Sequence, residues 1–427
     1  MKVYLNTVGC RLNQSEIETI GGPIRAQGHT LVPGAELADL AVINTCAVTV
    51  EAASDSRNMI RRAAREGAKE IVVTGCWATM NPGGAASLPN VGRVVLNGEK
   101  DRLVSDQLGV PFETFDLEPL ARETLPGMRL RTRAFIKVQD GCDNRCTFCV
   151  TTLVRGEGRS RPVEEILADV NSAVHGGARE VVLTGVHLGS WGQDFSEPAH
   201  LKTLVQMILR RTEVPRLRLS SLEPWDLNED FFSLWAHEPR LCRHLHLPLQ
   251  AGCDATLRRM ARKTTQYSFR KLVAAARKIS PQIAITTDLI AGFPGETEAE
   301  FEETLAFVEE IAFSGGHVFT YSPRPGTAAA KMSGQVPSRI RRERNARLRQ
   351  VIEASAVRYR AQFLHQTLPV LWEGGAVLGP EGWHMSGLSD NYVRVNALAP
   401  QDLWNEITQV KMLSLEEGAV RGSLLEE

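Results

Sequence analysis

Three cysteines fall in one short stretch, Cys142-x3-Cys146-x2-Cys149, and three more, Cys10, Cys46 and Cys76, are spread over the first 76 residues. The last two of the eight, Cys242 and Cys253, lack such context and read as structural or incidental thiols. Eight cysteines in 427 residues exclude a disulfide scaffold, so the clustered ones point to metal binding or chemistry. Three thiolates within one loop can occupy three corners of a cubane iron–sulfur cluster, whose usual ligand set is four cysteines. No fourth cysteine stands nearby, and no histidine lies within or just after the motif. One iron would then stay open to a small molecule. A zinc knuckle in the same place would need the missing fourth ligand.

Such thiols need elements to position them. Lys2–Asn6, Leu40–Asn44 and Glu70–Thr74 read as strands that run into Cys10, Cys46 and Cys76, with helical signals from about Ser15 and over Ser54–Arg65. Strand alternating with helix implies a parallel sheet, and ligands of open α/β sheets bind beyond the carboxyl ends of the strands. Cys10, Cys46 and Cys76 are therefore expected to meet at one point. Residues 112–127, with Pro, Gly and acids but no clear period, read as a linker. A second alternating pattern follows, with strands at Ala134–Gln139, Glu180–Val186, Leu217–Leu222, His244–Leu249, Ile283–Ala291 and His317–Tyr321. Helical segments such as Val163–His175 and Leu201–Arg211 separate them. Six βα units predict an α/β fold with a partial barrel whose chemistry lies at the carboxyl ends of its strands. Ser338–Phe363 reads as one long helix. The short strands Leu368–Trp372, Trp383–Leu388, Tyr392–Val395 and Gln409–Leu415 then suggest a small β-barrel.

Further candidates sit at the strand ends of the barrel. Glu223 follows LRLSSL, Gln250 follows HLHLPL, and Asp288 lies in ITTDLIAGFPGE, where Gly292 and Gly295 permit close backbone approach. These three are candidate cofactor contacts. Gly185 and His187 are similarly placed but weaker candidates. Arg155, Arg159 and Arg161 follow the cysteine loop and read, each taken singly, as solvated surface arginines.

Composition bounds the rest. Apolar residues make up 43% and charged residues 23%, with net charge −1, which is globular and excludes a wholly basic nucleic-acid binder. No stretch has the length and apolarity of a membrane span, and the first residues, MKVYLNTVGCRLNQ, turn polar too soon for a secretory signal, so a cytoplasmic location is expected. Local basic patches remain. The stretch 331–360 has nine Lys/Arg against two Glu, and Arg57/Arg61/Arg62/Arg65 and Arg258/Arg259/Arg262/Lys263 form two others. On an α-helix Arg341, Arg344 and Arg347 share a face, a candidate phosphate contact. Residues 361–427 have three Lys/Arg and nine Asp/Glu, so few phosphate contacts are expected there. Trp372, Trp383, Tyr392 and Trp404 read as core rather than as base-stacking groups.

The Cys142/Cys146/Cys149 motif resembles the radical S-adenosylmethionine superfamily, in which the open iron chelates S-adenosylmethionine and the cluster reduces it to a 5′-deoxyadenosyl radical. The segments TVGCRLNQSE, INTCAVT and VTGCWA ahead of it resemble the methylthiotransferase family. That resemblance implies an N-terminal methylthiotransferase domain over residues 1–113, a radical core over 128–360 and a TRAM domain over 361–427. It implies two 4Fe–4S clusters, an auxiliary one on Cys10, Cys46 and Cys76 and a radical one on Cys142, Cys146 and Cys149. GCRLNQSE is most similar to the branch acting on N6-threonylcarbamoyladenosine. The isopentenyladenosine branch has Gln-Met-Asn, and the ribosomal-protein branch Pro-Lys-Asn, where this chain has Arg11-Leu12-Asn13. The implied reaction is 2-methylthiolation of that nucleoside next to the anticodon by radical C–H sulfur insertion and methyl transfer. The implied partners are the tRNA anticodon loop, an electron donor such as flavodoxin or ferredoxin, and a sulfur donor. The alternatives are isopentenyladenosine tRNA or a ribosomal protein as substrate, or a non-enzymatic RNA-binding protein holding zinc.

Overall fold

The computed structural model describes residues 1–109, 132–373 and 376–425, so the expected linker at 112–127 lies outside the described residues. Five short apolar segments build the N-terminal sheet: β1 (Lys2–Thr7), β2 (Thr30–Val32), β3 (Leu40–Thr45), β4 (Glu70–Gly75) and β5 (Val91–Val94). All pair in parallel, in the order β2-β1-β3-β4-β5. β3 is buried along its whole length, as a central strand covered on both faces must be. Helices α1 (Arg11–Ala26) and α2 (Val50–Glu66) connect the strands. Thr49 caps α2 by accepting from the Ala52 N–H, so this helix starts before the expected Ser54. α1 likewise starts at Arg11, not Ser15. Asn13 in this first turn is buried, and its amide donates to the Val8 and Thr45 carbonyls at 2.8 and 3.0 Å.

Six strands form the central wall: β6 (Arg133–Lys137), β7 (Glu180–Thr184), β8 (Leu217–Leu219), β9 (His244–His246), β10 (Ala284–Ala291) and β11 (Gly315–Thr320). They pair in parallel as two three-stranded sheets, bridged at Leu217–Leu241 and Ser221–His246. Helices α3 (Val163–His175), α4 (Leu201–Arg211), α5 (Gln266–Ile279) and α6 (Glu298–Ile311) lie between these strands in sequence. Among the described residues β6 and β11 do not pair, so the barrel is partial. The β6 edge is covered by α1, whose Ser15 hydroxyl accepts from the Lys137 N–H. The β11 edge is covered by α7 (Ser338–Ala361), where the Asn345 amide donates to the Val318 carbonyl.

The C-terminal strands are β12 (Thr367–Trp372), β13 (Val377–Gly379), β14 (Gly382–Ser389), β15 (Arg394–Ala399), β16 (Ile407–Glu416) and β17 (Ala419–Leu424). β12, β16, β17, β15 and β14 close a five-stranded barrel through the β12–β14 pairing, and β13 flanks β14. The strand expected at Tyr392–Val395 begins at Arg394 instead. Tyr392 adopts a positive φ of 65° in a turn where the Ser389 hydroxyl bonds the Asn391 side chain and accepts from the Val393 N–H. Trp372 fills this barrel's core, with Trp383 and Tyr392 packed partly buried against it. The barrel is bonded to the central wall by Arg216, which donates to the Leu388 and Pro369 carbonyls. Arg218 does the same to Ser389 and Asp390, and Arg243 pairs with Asp390 at 2.6 Å. Among the described residues no helix is long and apolar enough to cross a membrane.

Candidate metal centres and the adjoining cavity

Parallel pairing puts β1, β3 and β4 side by side with their carboxyl ends level: Thr7 faces Asn44, and Thr45 faces Gly75. Cys10, Cys46 and Cys76 follow these ends, and each thiol lies within electrostatic reach of the other two. Cys10 is the N-cap of α1 and Cys76 opens a short helix. Gly9 and Gly75 precede two of the three at φ of 113° and 99°. A Cβ at Gly9 would sit 2.6 Å from the Cys46 Sγ, and one at Gly75 2.3 Å from the Thr45 carbonyl, so only glycine lets the backbone pass. The second trio repeats the device in one loop. Gly141, at φ 70°, precedes Cys142, and a Cβ there would meet the Glu157 carbonyl at 1.8 Å.

The surroundings suit thiolates that bind iron. Burial pushes the Cys46 and Cys146 thiols up to about 11, and those of Cys10 and Cys149 also rise, so without metal these groups hold their protons. Donors nevertheless point at the sulfurs. The Val48 N–H reaches Cys46 at 3.5 Å, the Asn97 amide Cys76 at 3.7 Å, the Thr151 N–H Cys149 at 3.3 Å and Arg262 Cys146 at 3.9 Å. Hydrogen bonds to sulfur are the means by which a protein tunes a cluster. Among the described residues no three His, Cys, Asp or Glu side chains are arranged to hold a single metal ion. Ligands of one zinc must converge on one point at about 2.3 Å, whereas a cubane spreads them over its corners. Each trio offers three thiol donors, the ligand chemistry of an iron–sulfur cluster. Cys242 and Cys253 are buried elsewhere in the barrel.

Between the two trios runs a buried charged network. Arg155, at the end of the short helix after Cys149, donates to Glu16 and Asp140 at 2.8 Å and to Asn13 at 3.1 Å. Lys100 joins Glu16 at 2.7 Å. Burial alone would raise the Glu16 carboxyl, but Lys100, Arg155 and Lys137 outweigh it and hold Glu16 far below the usual carboxylate range. Arg155 is thus not the solvated arginine its sequence context suggested. The missed signal was its partner, Glu16 in the LNQSE segment beside Cys10.

A cavity of about 380 Å³ opens where the two domains meet. Val48, Thr49 and Glu51, just past Cys46, form one wall, and Phe148 to Thr151 of the other cysteine loop form the next. Gln250, Asp288 and Ile290 line its barrel side, and Tyr321, Arg324, Arg341 and Arg342 close it. Gln250 and Asp288 therefore face the cavity that Cys149 lines and that the residues just past Cys46 border. Glu223 does not line it; this carboxylate pairs at 2.6 Å with Arg262, the arginine beside Cys146. His187 stands by Cys142. Burial lowers its basicity, but hydrogen bonds to Asp226 and Cys142 outweigh burial and raise it to about 10.

The expected phosphate face of α7 is not free. Arg344 is buried and pairs with Glu296 and Glu298 at 2.8 Å, Arg347 pairs with Glu298 and Glu302 of α6, and Arg341 turns inward to the Tyr321 carbonyl. Shared helical phase had placed these three on one face, and that face packs on the barrel because α6 offers carboxylates to it. The exposed arginines of the helix are Arg339, Arg342, Arg349 and Arg358. Of the other patches, Arg262 is buried and Arg259 pairs with Glu300 at 2.6 Å, while Arg61, Arg62 and Arg65 remain exposed.

Residues 136–308 match the Radical SAM superfamily, and residues 2–96 match the uncharacterized protein family UPF0004. The chain is 35% identical to the threonylcarbamoyladenosine tRNA methylthiotransferase MtaB of Bacillus subtilis, over 96% of this chain and 93% of that protein. It is 36% identical to the protein of the same name from Thermotoga maritima, over 98% and 96%. Among solved structures it resembles the radical S-adenosylmethionine methyltransferase TsrM of Kitasatospora setae, determined with cobalamin and a [4Fe–4S] cluster bound. The TM-score is 0.57 at 17% identity, covering 77% of each chain, a likeness of fold alone.

Proposed function

Because the chain belongs to the radical S-adenosylmethionine methylthiotransferase family, we propose that it converts N6-threonylcarbamoyladenosine next to the tRNA anticodon to its 2-methylthio derivative. The observation that carries this reading is one cavity lined by Cys149 of one trio and by Val48, Thr49 and Glu51, just past Cys46 of the other. Cys142, Cys146 and Cys149 would hold the radical cluster with one iron open to S-adenosylmethionine, and Cys10, Cys46 and Cys76 an auxiliary 4Fe–4S cluster. When bound, these groups supply the radical that removes hydrogen from adenine C2, and the sulfur and methyl that replace it.

The chain's own residues hold and orient. Gln250 and Asp288 face the cavity and are the proposed contacts to S-adenosylmethionine. Glu223 acts one step back, by fixing Arg262 beside Cys146. Phe148, Val150, Ile290 and Phe319 give the cavity apolar walls against which an adenine can lie. Reaching C2 requires a base turned out of its stack, which a single-stranded loop permits. We further propose that residues 1–113, 128–360 and 361–427 act as auxiliary-cluster domain, radical core and TRAM domain. An electron donor of the flavodoxin or ferredoxin type, a sulfur donor and a cytoplasmic setting complete the reading.

Nucleoside mass spectrometry of tRNA from a strain lacking the gene tests it. The methylthio derivative should disappear and N6-threonylcarbamoyladenosine accumulate. Loss of the isopentenyl derivative instead would move the enzyme to the other tRNA branch, and unchanged tRNA would point to a protein substrate.

A further inference from the structure

Arg324 is only 8% exposed, yet its guanidinium makes one hydrogen bond, to the Val48 carbonyl at 3.0 Å, and no ion pair among the described residues. Glu51, on the same wall as Val48, acts on it electrostatically without reaching ion-pair distance, and Cys46 and Tyr321 act on it more weakly. With one hydrogen bond and no ion pair among the described residues, the guanidinium keeps donors with which to take an anion that arrives with a ligand. Two further features point into the same space. The start of α7 faces the cavity through Ser338, Arg341 and Arg342, with Pro337 at its N-cap, no side-chain cap and no acid in its first turn. The first backbone N–H groups of a 24-residue helix are thus left without a side-chain acceptor, the arrangement that binds oxyanions. Unpartnered polar atoms also collect here. The Arg341 Nε and the Tyr321 hydroxyl are buried without a hydrogen-bond partner, and Arg342 is exposed at the rim and carries no ion pair among the described residues.

We propose that Arg324, Arg342 and the open N-terminus of α7 form an oxyanion site that anchors an anionic group of the RNA substrate at the mouth of the cavity. The proposal rests on the tRNA reading above and deepens it. Two groups of such a substrate have this chemistry: the threonyl carboxylate carried on the target base, and the backbone phosphate beside the target nucleotide. Either one, held by Arg324, would set the attached base between Cys46 and Cys149, whose loops form the adjoining walls. Bidentate guanidinium recognition suits both. Two carboxylates, Glu51 and Asp288, also line the cavity, where they would favour a cationic cofactor group.

Fluorescence anisotropy with the reconstituted full-length enzyme and labelled anticodon stem–loops tests this. Three RNAs are compared: one with N6-threonylcarbamoyladenosine, one with its threonyl methyl ester, and one with a neutral methylphosphonate beside the target nucleotide. Arg324→Gln and the exposed Arg342→Gln should each weaken binding of the first RNA by about tenfold or more, and Arg324→Lys should recover most of the loss. If the carboxylate is the anion, the ester alone weakens the wild-type protein, and Arg324→Gln then loses nothing further on it. If the phosphate is the anion, the methylphosphonate behaves that way instead. The proposal is overturned if both Gln variants bind all three RNAs like wild type. An equal loss on all three RNAs overturns it too, as does weakened S-adenosylmethionine binding with RNA affinity intact. The functional reading fails separately, if the wild-type protein yields no methylthio product from the first RNA.

Discussion

The two cysteine trios reach similar ends by opposite routes. Cys142, Cys146 and Cys149 lie in one loop, so local chain geometry places their sulfurs. Cys10, Cys46 and Cys76 are brought together only by the parallel register of β1, β3 and β4, so their spacing is a property of a whole sheet and its buried contacts. A loop site tolerates damage elsewhere in the fold. A site at the ends of several strands fails when any strand slips, because a one-residue slip turns every side chain to the other face. The Arg155–Glu16 network couples the two, since it is anchored beside Cys10 at one end and just after Cys149 at the other.

The sharpest way to break the comparison is to remove each trio in turn. Replacing Cys10, Cys46 and Cys76 with Ala should halve the iron and abolish methylthio product, while reductive cleavage of S-adenosylmethionine persists. The same change at Cys142, Cys146 and Cys149 should also halve the iron but abolish both activities. Iron and sulfide analysis with both assays decides, and loss of all iron in either variant would falsify the two-site reading.

Glu16→Gln comes next in size. It leaves Lys100, Arg155 and Lys137 short of a buried counter-charge, and breaking such a pair costs about 3–5 kcal/mol. Glu16 has a lowered native pKa. Its stabilisation is therefore complete above the ordinary carboxylate range and is lost only as the pH falls through the lowered value. The variant should unfold at lower temperature at neutral pH, and its stability should fall less steeply in acid. Equal melting of the two proteins at pH 7 removes the network from the account.

Gly9→Ala and Gly141→Ala sharpen the contrast. Each forces a side chain into an occupied space at positive φ, with strain of about 1–3 kcal/mol. Each should cost only its own cluster, read as separate electron paramagnetic resonance signals. A variant that loses both signals would mean the two loops fold as one unit.

The smallest effect is expected at Arg347. Its partners Glu298 and Glu302 are half exposed, and such surface pairs contribute about 0–1 kcal/mol. Arg347→Ala should leave tRNA affinity and its salt dependence near wild type. A lowered log–log salt slope would restore this side chain to the RNA footprint.

What the sequence made legible follows the same division. The loop motif spoke through spacing alone. The N-terminal trio could be read only because each cysteine ended a strand of one alternating pattern, which made their convergence a matter of topology. The arginines resisted reading. Arg155, Arg344 and Arg347 looked solvated or phosphate-facing because charge and helical phase are local, whereas their partners Glu16, Glu296 and Glu302 lie 139, 48 and 45 residues away. Glu223 and Asp288 looked alike as acids near strand ends, yet one pairs with Arg262 and the other lines the cavity, a difference set by side chains on neighbouring strands.

The arginines that grip the C-terminal barrel carry a mechanical consequence. Arg218 and its partner Glu180 are fully buried, and Arg218 also reaches the Ser389 and Asp390 carbonyls. Pulling the barrel away would break these carbonyl bonds and those of Arg216, and would open the Arg218–Glu180 pair to water. The C-terminal barrel is therefore held against the central wall by buried arginines rather than hung from it as a tethered arm. It buttresses that wall, so a chain cut before β12 would lose part of its foundation rather than an appendage.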